Sequence, residues 1–237
     1  MKDQFFRTRL MVGDKGIARL QNATVAILGL GAVGSFCLEI LARSGVGNFI
    51  IADKDQIEIT NLNRQIYALN STIDKDKTAV AAERIKDINA RASVKTITEY
   101  IHKGNVGLMF DGNPDVVVDA ADIINTKIAL IAKAQELSVP IVCSMGAGLK
   151  TDLSKIKTTT IKKTKNCPLA FVLRKKLRQE RIDTNVPCVY SEELPVEVGA
   201  PPVLEDAKEY IGTMPYITAC FGLHLAKLTM DALLAGK

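Results

Sequence analysis

The stretch Thr24 to Gly34, TVAILGLGAVG, leaves few folds open to this chain. Val25, Ala26, Ile27 and Leu28 form an unbroken apolar run, the pattern of a strand buried on both faces of a parallel sheet. The run turns at once into Gly29-x-Gly31-x-x-Gly34. In such a turn Gly29 would allow the tight reversal, Gly31 would let the backbone approach a phosphate, and Gly34 would let the next helix lie against the strand. Val33, Phe36, Ile40 and Leu41 then fall at helical spacing on one apolar face, and Gly45 is placed to end the helix. The helix N-terminus would point unpaired N–H groups and the positive end of its dipole at an anion. A second apolar run, Phe49 to Ala52, ends at Asp53, 19 positions beyond Gly34, where a ribose-binding acid belongs. A glycine-rich turn without a ligand is the plainer alternative, but strand, glycines, helix, strand and acid in this order favour a nucleotide.

The rest of the first half repeats the alternation. Residues 5 to 20 predict a helical lead-in with a turn at Gly13-Asp14. Helices are expected over 76–89 and 125–137, and strands over 93–100, 114–119 and 140–144. This is the grammar of a doubly wound, Rossmann-like α/β fold with a mostly parallel sheet. Past Gly148 the pattern changes. Residues 156–163 alternate as an antiparallel strand, 168–182 form a basic amphipathic helix, and 186–191 a further strand. Residues 192–213 are an acidic, proline-containing loop of lid or partner-binding character, and 214–234 a closing helix. The division expected is a nucleotide-binding region over 1–148 and a basic substrate-binding extension over 149–237, together one continuous domain.

Charge separates the two halves. The chain carries net +5, but residues 150–185 alone carry eleven Lys or Arg against three acids, a net +8. Such a concentration is an electrostatic footprint for a polyanion such as RNA, and a solvated helix face is its rival. Five scattered cysteines without any C-x-x-C pair argue against a disulfide framework and against zinc, and suit a reducing cytoplasm. The charged opening MKDQFFRTRL implies no export signal. The apolar stretch 217–234 is interrupted by His224, Lys227 and Asp231, so a buried or dimer-facing helix is expected there, not a membrane span.

Asp53, Arg64, Lys77, Asp119 and Asp122 all follow or flank strand ends, and in a parallel sheet those ends share the carboxyl edge with the glycine turn. Two cations and several acids converging there could hold a triphosphate with Mg²⁺.

GLGAVGS, ADKDQIEITNLNRQ, DKDKTAVAAERI and VVVDAAD, in this order, resemble the superfamily of ATP-dependent activating enzymes that includes MoeB, ThiF and the ubiquitin-activating enzymes. The resemblance implies adenylation of a carboxylate. Asp53 would hold the ribose, Asn61, Asn63, Arg64 and Lys77 would address the phosphates, and Asp122 would hold Mg²⁺. Arg7, in FFRTRLMVG, would reach into the partner's site of a homodimer. The second-half blocks SMGAGLK, KTTTIKKTKNCPLAFVLRKKLR and CVYSEE resemble the tRNA threonylcarbamoyladenosine dehydratases. That implies an ATP-dependent cyclisation of a tRNA nucleoside, with Lys162, Lys163, Arg174, Lys175, Lys176 and Arg178 as candidate tRNA contacts. An adenylyltransferase for a ubiquitin-like sulfur carrier is the alternative, and a sulfur-transfer protein is a candidate partner. A plain NAD-binding oxidoreductase would leave N-L-N-R-Q and Lys77 unexplained.

Cys188 is a candidate nucleophile, since some activating enzymes use a cysteine. Buried cysteines are also common as small apolar residues, and reactivity would need an electropositive, accessible setting. His102 and His224 have no sequence partner that suggests acid–base work.

Overall fold

The computed structural model describes residues 3–197 and 211–235. The first half holds α1 (Phe6–Asn22), β1 (Thr24–Leu28), α2 (Gly34–Ser44), β2 (Asn48–Ala52), α3 (Lys77–Ile88) and β3 (Ser93–Ile97). Then come β4 (Val116–Asp119), α4 (Ile124–Glu136), β5 (Ile141–Ser144), β6 (Ile156–Thr160), α5 (Pro168–Gln179), β7 (Pro187–Ser191) and α6 (Pro215–Leu234).

One seven-stranded sheet runs through both halves in the order β3-β2-β1-β4-β5-β7-β6. β1 pairs in parallel with β2 on one side and with β4 on the other. The strand order therefore reverses at β1, and the crevice beyond its carboxyl end is where open α/β sheets bind ligands. β7 continues the parallel sheet beside β5, and β6 alone runs antiparallel, at the edge. The doubly wound, mostly parallel α/β fold expected from the sequence is thus observed.

Alternate residues of β1 feed two cores. Val25 and Ile27 join Leu38 and Leu41 of α2, Val80 and Ile85 of α3, Leu20 of α1 and Phe221 of α6. Ala26 and Leu28 join Ile128 and Ile131 of α4 and Leu173 and Leu177 of α5 on the other face. Helices so cover both faces, as a parallel sheet requires.

Several boundaries shift for identifiable reasons. α2 is apolar on two sides. Of the face expected from the sequence, Leu41 is fully buried together with Cys37, Leu38 and Ala42, while Val33, Phe36 and Ile40 are half-buried, Val33 and Ile40 against the first core. Gly45 ends α2 in the left-handed conformation, φ 101°. α5 stops at Gln179, not at 182, because Arg181 takes φ 58° and Ile182 N–H turns back to Leu177 O, a left-handed helix cap without glycine. β6 stops at Thr160, where the chain tightens into a short 3₁₀ turn over Ile161–Lys163. β3 stops at Ile97, short of Tyr100.

Of the acidic stretch 192–213, residues 198–210 lie outside the described residues. Its described ends are tied to the segment after β5. The Glu193 carboxylate accepts from Thr151 N and Asp152 N at 3.0 Å, Val196 N donates to Leu149 O, and Leu149 N donates to Gly212 O. α6 is long and apolar enough to cross a membrane by length and composition, and it is the one such helix among the described residues. Here its Ile217, Phe221, Leu225 and Ala226 are buried in the first core.

Candidate nucleotide site

The glycine turn closes the carboxyl end of β1. Gly29 has φ 88°, and a Cβ there would lie 2.8 Å from Ala120 O at the end of β4. A Cβ on Gly34 would lie 1.8 Å from Gly29 O, so only glycine lets α2 start this close to the turn. Gly31 differs: its missing Cβ would meet nothing nearer than Gln65 Nε2 at 4.0 Å. Two glycines therefore shape the turn, and the third leaves space above it.

Asp53, just past β2, has one carboxylate oxygen 2.7 Å from Leu30 N and the other 2.9 Å from Asp55 N. The acid expected to hold a ribose is thereby locked against the glycine turn. Burial raises its pKa above the ordinary aspartate value, and nearby Lys77 offsets this only in part. Lys77 begins α3, is buried, and places Nζ 3.0 Å from Asp55 and 3.8 Å from Asp53.

The N-L-N-R-Q block folds over the turn. Asn61 Oδ1 accepts from Glu58 N, and Arg64 Nη1 donates to Thr60 O and to Asn63 Oδ1, so these side chains also hold their own loop in shape. Tyr67 OH donates to Leu30 O and Ile66 N donates to Ser35 Oγ, fastening the loop to the turn and to α2. Gln65 is buried, yet its Oε1 has no hydrogen-bond partner among the described residues. A buried acceptor without a donor is costly, and here it sits beside the open space over Gly31. An α2 N-terminus offering N–H groups, two nearby cations and an acid paired to the turn fit the sugar and phosphates of ATP.

Asp122 is exposed in the connection after β4. Asp119, weighed with it from the sequence, is fully buried: Oδ2 lies 2.9 Å from Lys127 Nζ, which also donates to Ser144 O at 2.8 Å. Arg7 stands exposed on the first turn of α1. Cys188 is buried in β7, where burial pushes its thiol up to about 12, a setting opposite to that of a reactive thiolate.

Residues 6–235 match the ThiF family. The chain is 40% identical over 212 residues to a tRNA threonylcarbamoyladenosine dehydratase of Bacillus subtilis, covering 90% of this chain and 82% of that protein. It is 34% identical to the dehydratase of the same name from Escherichia coli, over 81% of this chain and 74% of that one. The crystal structure of E. coli TcdA in complex with ATP superposes with a TM-score of 0.89 at 31% identity, covering 98% of this chain and 94% of that one. The chain belongs to the ThiF family, in its branch of tRNA threonylcarbamoyladenosine dehydratases. Within the ThiF family, a sulfur carrier protein ThiS adenylyltransferase of B. subtilis is similar over 54% of this chain only.

This dehydratase branch is also where the basic second half resembles its relatives, and the structure sorts that half's cations. Lys162 and Lys163 are exposed on the 3₁₀ turn after β6, and Lys175 and Arg178 are exposed on α5. Arg174 is turned inward, its Nη1 donating to Ile161 O, Thr164 O and Thr164 Oγ1. Lys176 Nζ donates to Asn125 Oδ1 at the start of α4. Lys157, Lys162, Lys163, Lys165, Tyr190 and Glu192 help line an open groove of about 610 Å³ along β6. Among the described residues no three His, Cys, Asp or Glu side chains cluster as a metal site.

Sequence reasoning gave no role to three of the residues that build this edge. Gln65 lay inside the N-L-N-R-Q block, and its signal was a polar side chain in a loop that must cover a turn. Tyr67 follows it by two positions. Tyr100 lies three residues past the end of β3, with Lys54 Nζ 5.4 Å from its ring centre and the His102 ring 6.0 Å away, a half-exposed aromatic beyond the carboxyl ends of β2 and β3.

Proposed function

We propose that this chain catalyses the ATP-dependent cyclising dehydration of threonylcarbamoyladenosine in tRNA. The observation that carries this reading is the reach of the similarity: the dehydratases match over most of the chain, basic second half included. The adenylyltransferase of a sulfur carrier matches about half of it.

In the proposed reaction the substrate's threonyl carboxylate attacks the α-phosphate of ATP and pyrophosphate leaves. The carbamoyl group of the same nucleoside then closes a ring onto the activated carbonyl, and AMP leaves. The carboxylate is already ionised at neutral pH, so no general base is needed for the first step. Asp53 positions the ribose, and Asn61, Asn63, Arg64 and Lys77 face the phosphates. Arg64 and Lys77 stabilise the charge that develops on the α-phosphate. Ring closure joins two groups of one substrate, so a site that holds it in a single conformer lowers the barrier further. Asp122 would hold Mg²⁺, which would supply positive charge against the phosphates. Exposed Lys162, Lys163, Lys175 and Arg178 bind tRNA phosphates, which fixes position without reading sequence.

A homodimer is compatible with the surface of α1. Leu10 and Met11, close behind Arg7, are 70% and 85% exposed, a pair of apolar side chains that a second copy would cover while receiving Arg7. A sulfur-transfer protein is a further candidate partner. A cytoplasmic location suits a tRNA substrate and unpaired thiols.

The test is pyrophosphate and AMP release from ATP with tRNA carrying threonylcarbamoyladenosine, followed by mass analysis of the nucleoside. Loss of one water from the nucleoside with matched AMP release is expected. Release driven by a small ubiquitin-like carrier and not by tRNA would replace this reading with the adenylyltransferase one.

A further inference from the structure

Phe171 is 61% exposed, whereas Phe5, Phe49, Phe110 and Phe221 are buried. It lies on the solvent face of α5 with Lys175 and Arg178, spaced at i, i+4 and i+7, opposite the buried Ala170, Leu173 and Leu177. Val172, 37% exposed, widens the apolar spot by one side chain. One turn along, Arg174 ties α5 to the carbonyls of Ile161 and Thr164, so the helix face is held rigidly to the turn bearing Lys162, Lys163 and Lys165. A single aromatic ring in a fixed setting of cations is poorly suited to a protein interface, whose centre is depleted of lysine. It suits a single-stranded polyanion, whose bases each offer a face for stacking between charged phosphates.

We propose that Phe171 is a stacking platform for an unpaired base of the RNA substrate, with Lys175 and Arg178 on the adjoining phosphates. This rests on the tRNA reading above and adds that the enzyme grips an unpaired segment as well as a backbone. Stacking tolerates any base, so the contact selects loop from helix and not one sequence from another.

The chain contains no tryptophan, so Phe171→Trp installs a lone fluorophore at the spot. Titration of that variant with tRNA should quench its emission, and a blunt RNA duplex of equal length should not. Phe171→Ala should weaken tRNA binding by about 5-fold or more, as loss of one base stack does, and leave duplex binding unchanged. Phe171→Trp should retain wild-type tRNA affinity. Equal tRNA affinity of wild type and Phe171→Ala, or equal quenching by duplex, overturns the proposal. So does quenching by a carrier protein in place of RNA. If Lys175→Glu weakens binding of both RNAs while Phe171→Ala changes nothing, stacking fails and the tRNA reading stands. If the wild-type protein binds neither RNA, both fall together.

Discussion

Lys127 Nζ lies 2.9 Å from Asp119 Oδ2, and neither side chain is exposed to solvent. The pair joins α4 to the end of β4, and the second Asp119 oxygen accepts from Ala121 N, so the same carboxylate shapes the connection that carries Asp122. Replacing one member strands the other charge in the core. Lys127→Met should cost about 3–5 kcal/mol in chemical denaturation, and Lys127→Met with Asp119→Leu should recover much of it. A single variant as stable as wild type would mean that the pair is not an ion pair in solution.

The three glycines of the turn should separate structure from binding. Gly34→Ala must force α2 away from Gly29 O, and it should lower thermal stability and ATP affinity together. Gly31→Ala has room within the protein and should keep the wild-type melting temperature while losing ATP affinity by at least ~10-fold. Isothermal titration beside a thermal melt reads both effects.

Lys77→Ala and Arg64→Ala should each reduce tRNA-dependent pyrophosphate release by about 100-fold or more, the scale set by removing one preorganised contact to developing charge. Unchanged turnover in both would remove the adenylation mechanism.

Asp53 supplies the pH signature. Its folded pKa exceeds the unfolded one, chiefly through burial, so the fold binds that proton more tightly than the unfolded chain does. Its contribution to folding is therefore present on the acid side and is lost as pH rises through the folded value. Ribose recognition has the opposite sign, because the ionised carboxylate is the stronger acceptor for a sugar hydroxyl. ATP affinity should fall as pH drops from neutral through the raised Asp53 pKa, and Asp53→Asn should flatten that dependence and lower affinity throughout. A wild-type affinity that stays flat across the acid range would exclude Asp53 from the ribose contact.

Cys188→Ala should keep nucleotide-dependent turnover, since a buried thiol held up to about 12 is protonated at neutral pH. Loss of turnover in a variant that still folds would return Cys188 to the candidate nucleophiles.

The glycine turn, the alternation of strands and helices around it and Asp53 were legible because local rules dictate them. A run buried on both faces must be apolar, and a turn of this shape must be glycine. The pairing of Lys127 with Asp119 was not legible, since eight residues separate them and only the packing of α4 on the sheet decides that both turn inward. The early stop of α5 escaped notice because a left-handed cap normally carries glycine, and here Arg181 takes that role. The basic segment read as uniform charge, yet folding divides it: Arg174 became an internal strut, and Lys175 and Arg178 stayed exposed. Val33, Phe36, Ile40 and Leu41 read as one apolar face because nothing local reveals that α6 will cover a second side of α2.

That helix has a consequence for what holds the glycine turn in place. A Cβ on Gly222 of α6 would lie 2.6 Å from Phe36 Cβ and 2.7 Å from Val33 O, so α6 rests directly on the backbone that opens α2. In chain order the glycine turn, Asp53 and Lys77 all precede that brace, so a segment distant in sequence supports the start of α2. Removal of residues 215–234 would leave the glycine turn, Asp53 and Lys77 in the sequence and strip the support from beneath the start of α2.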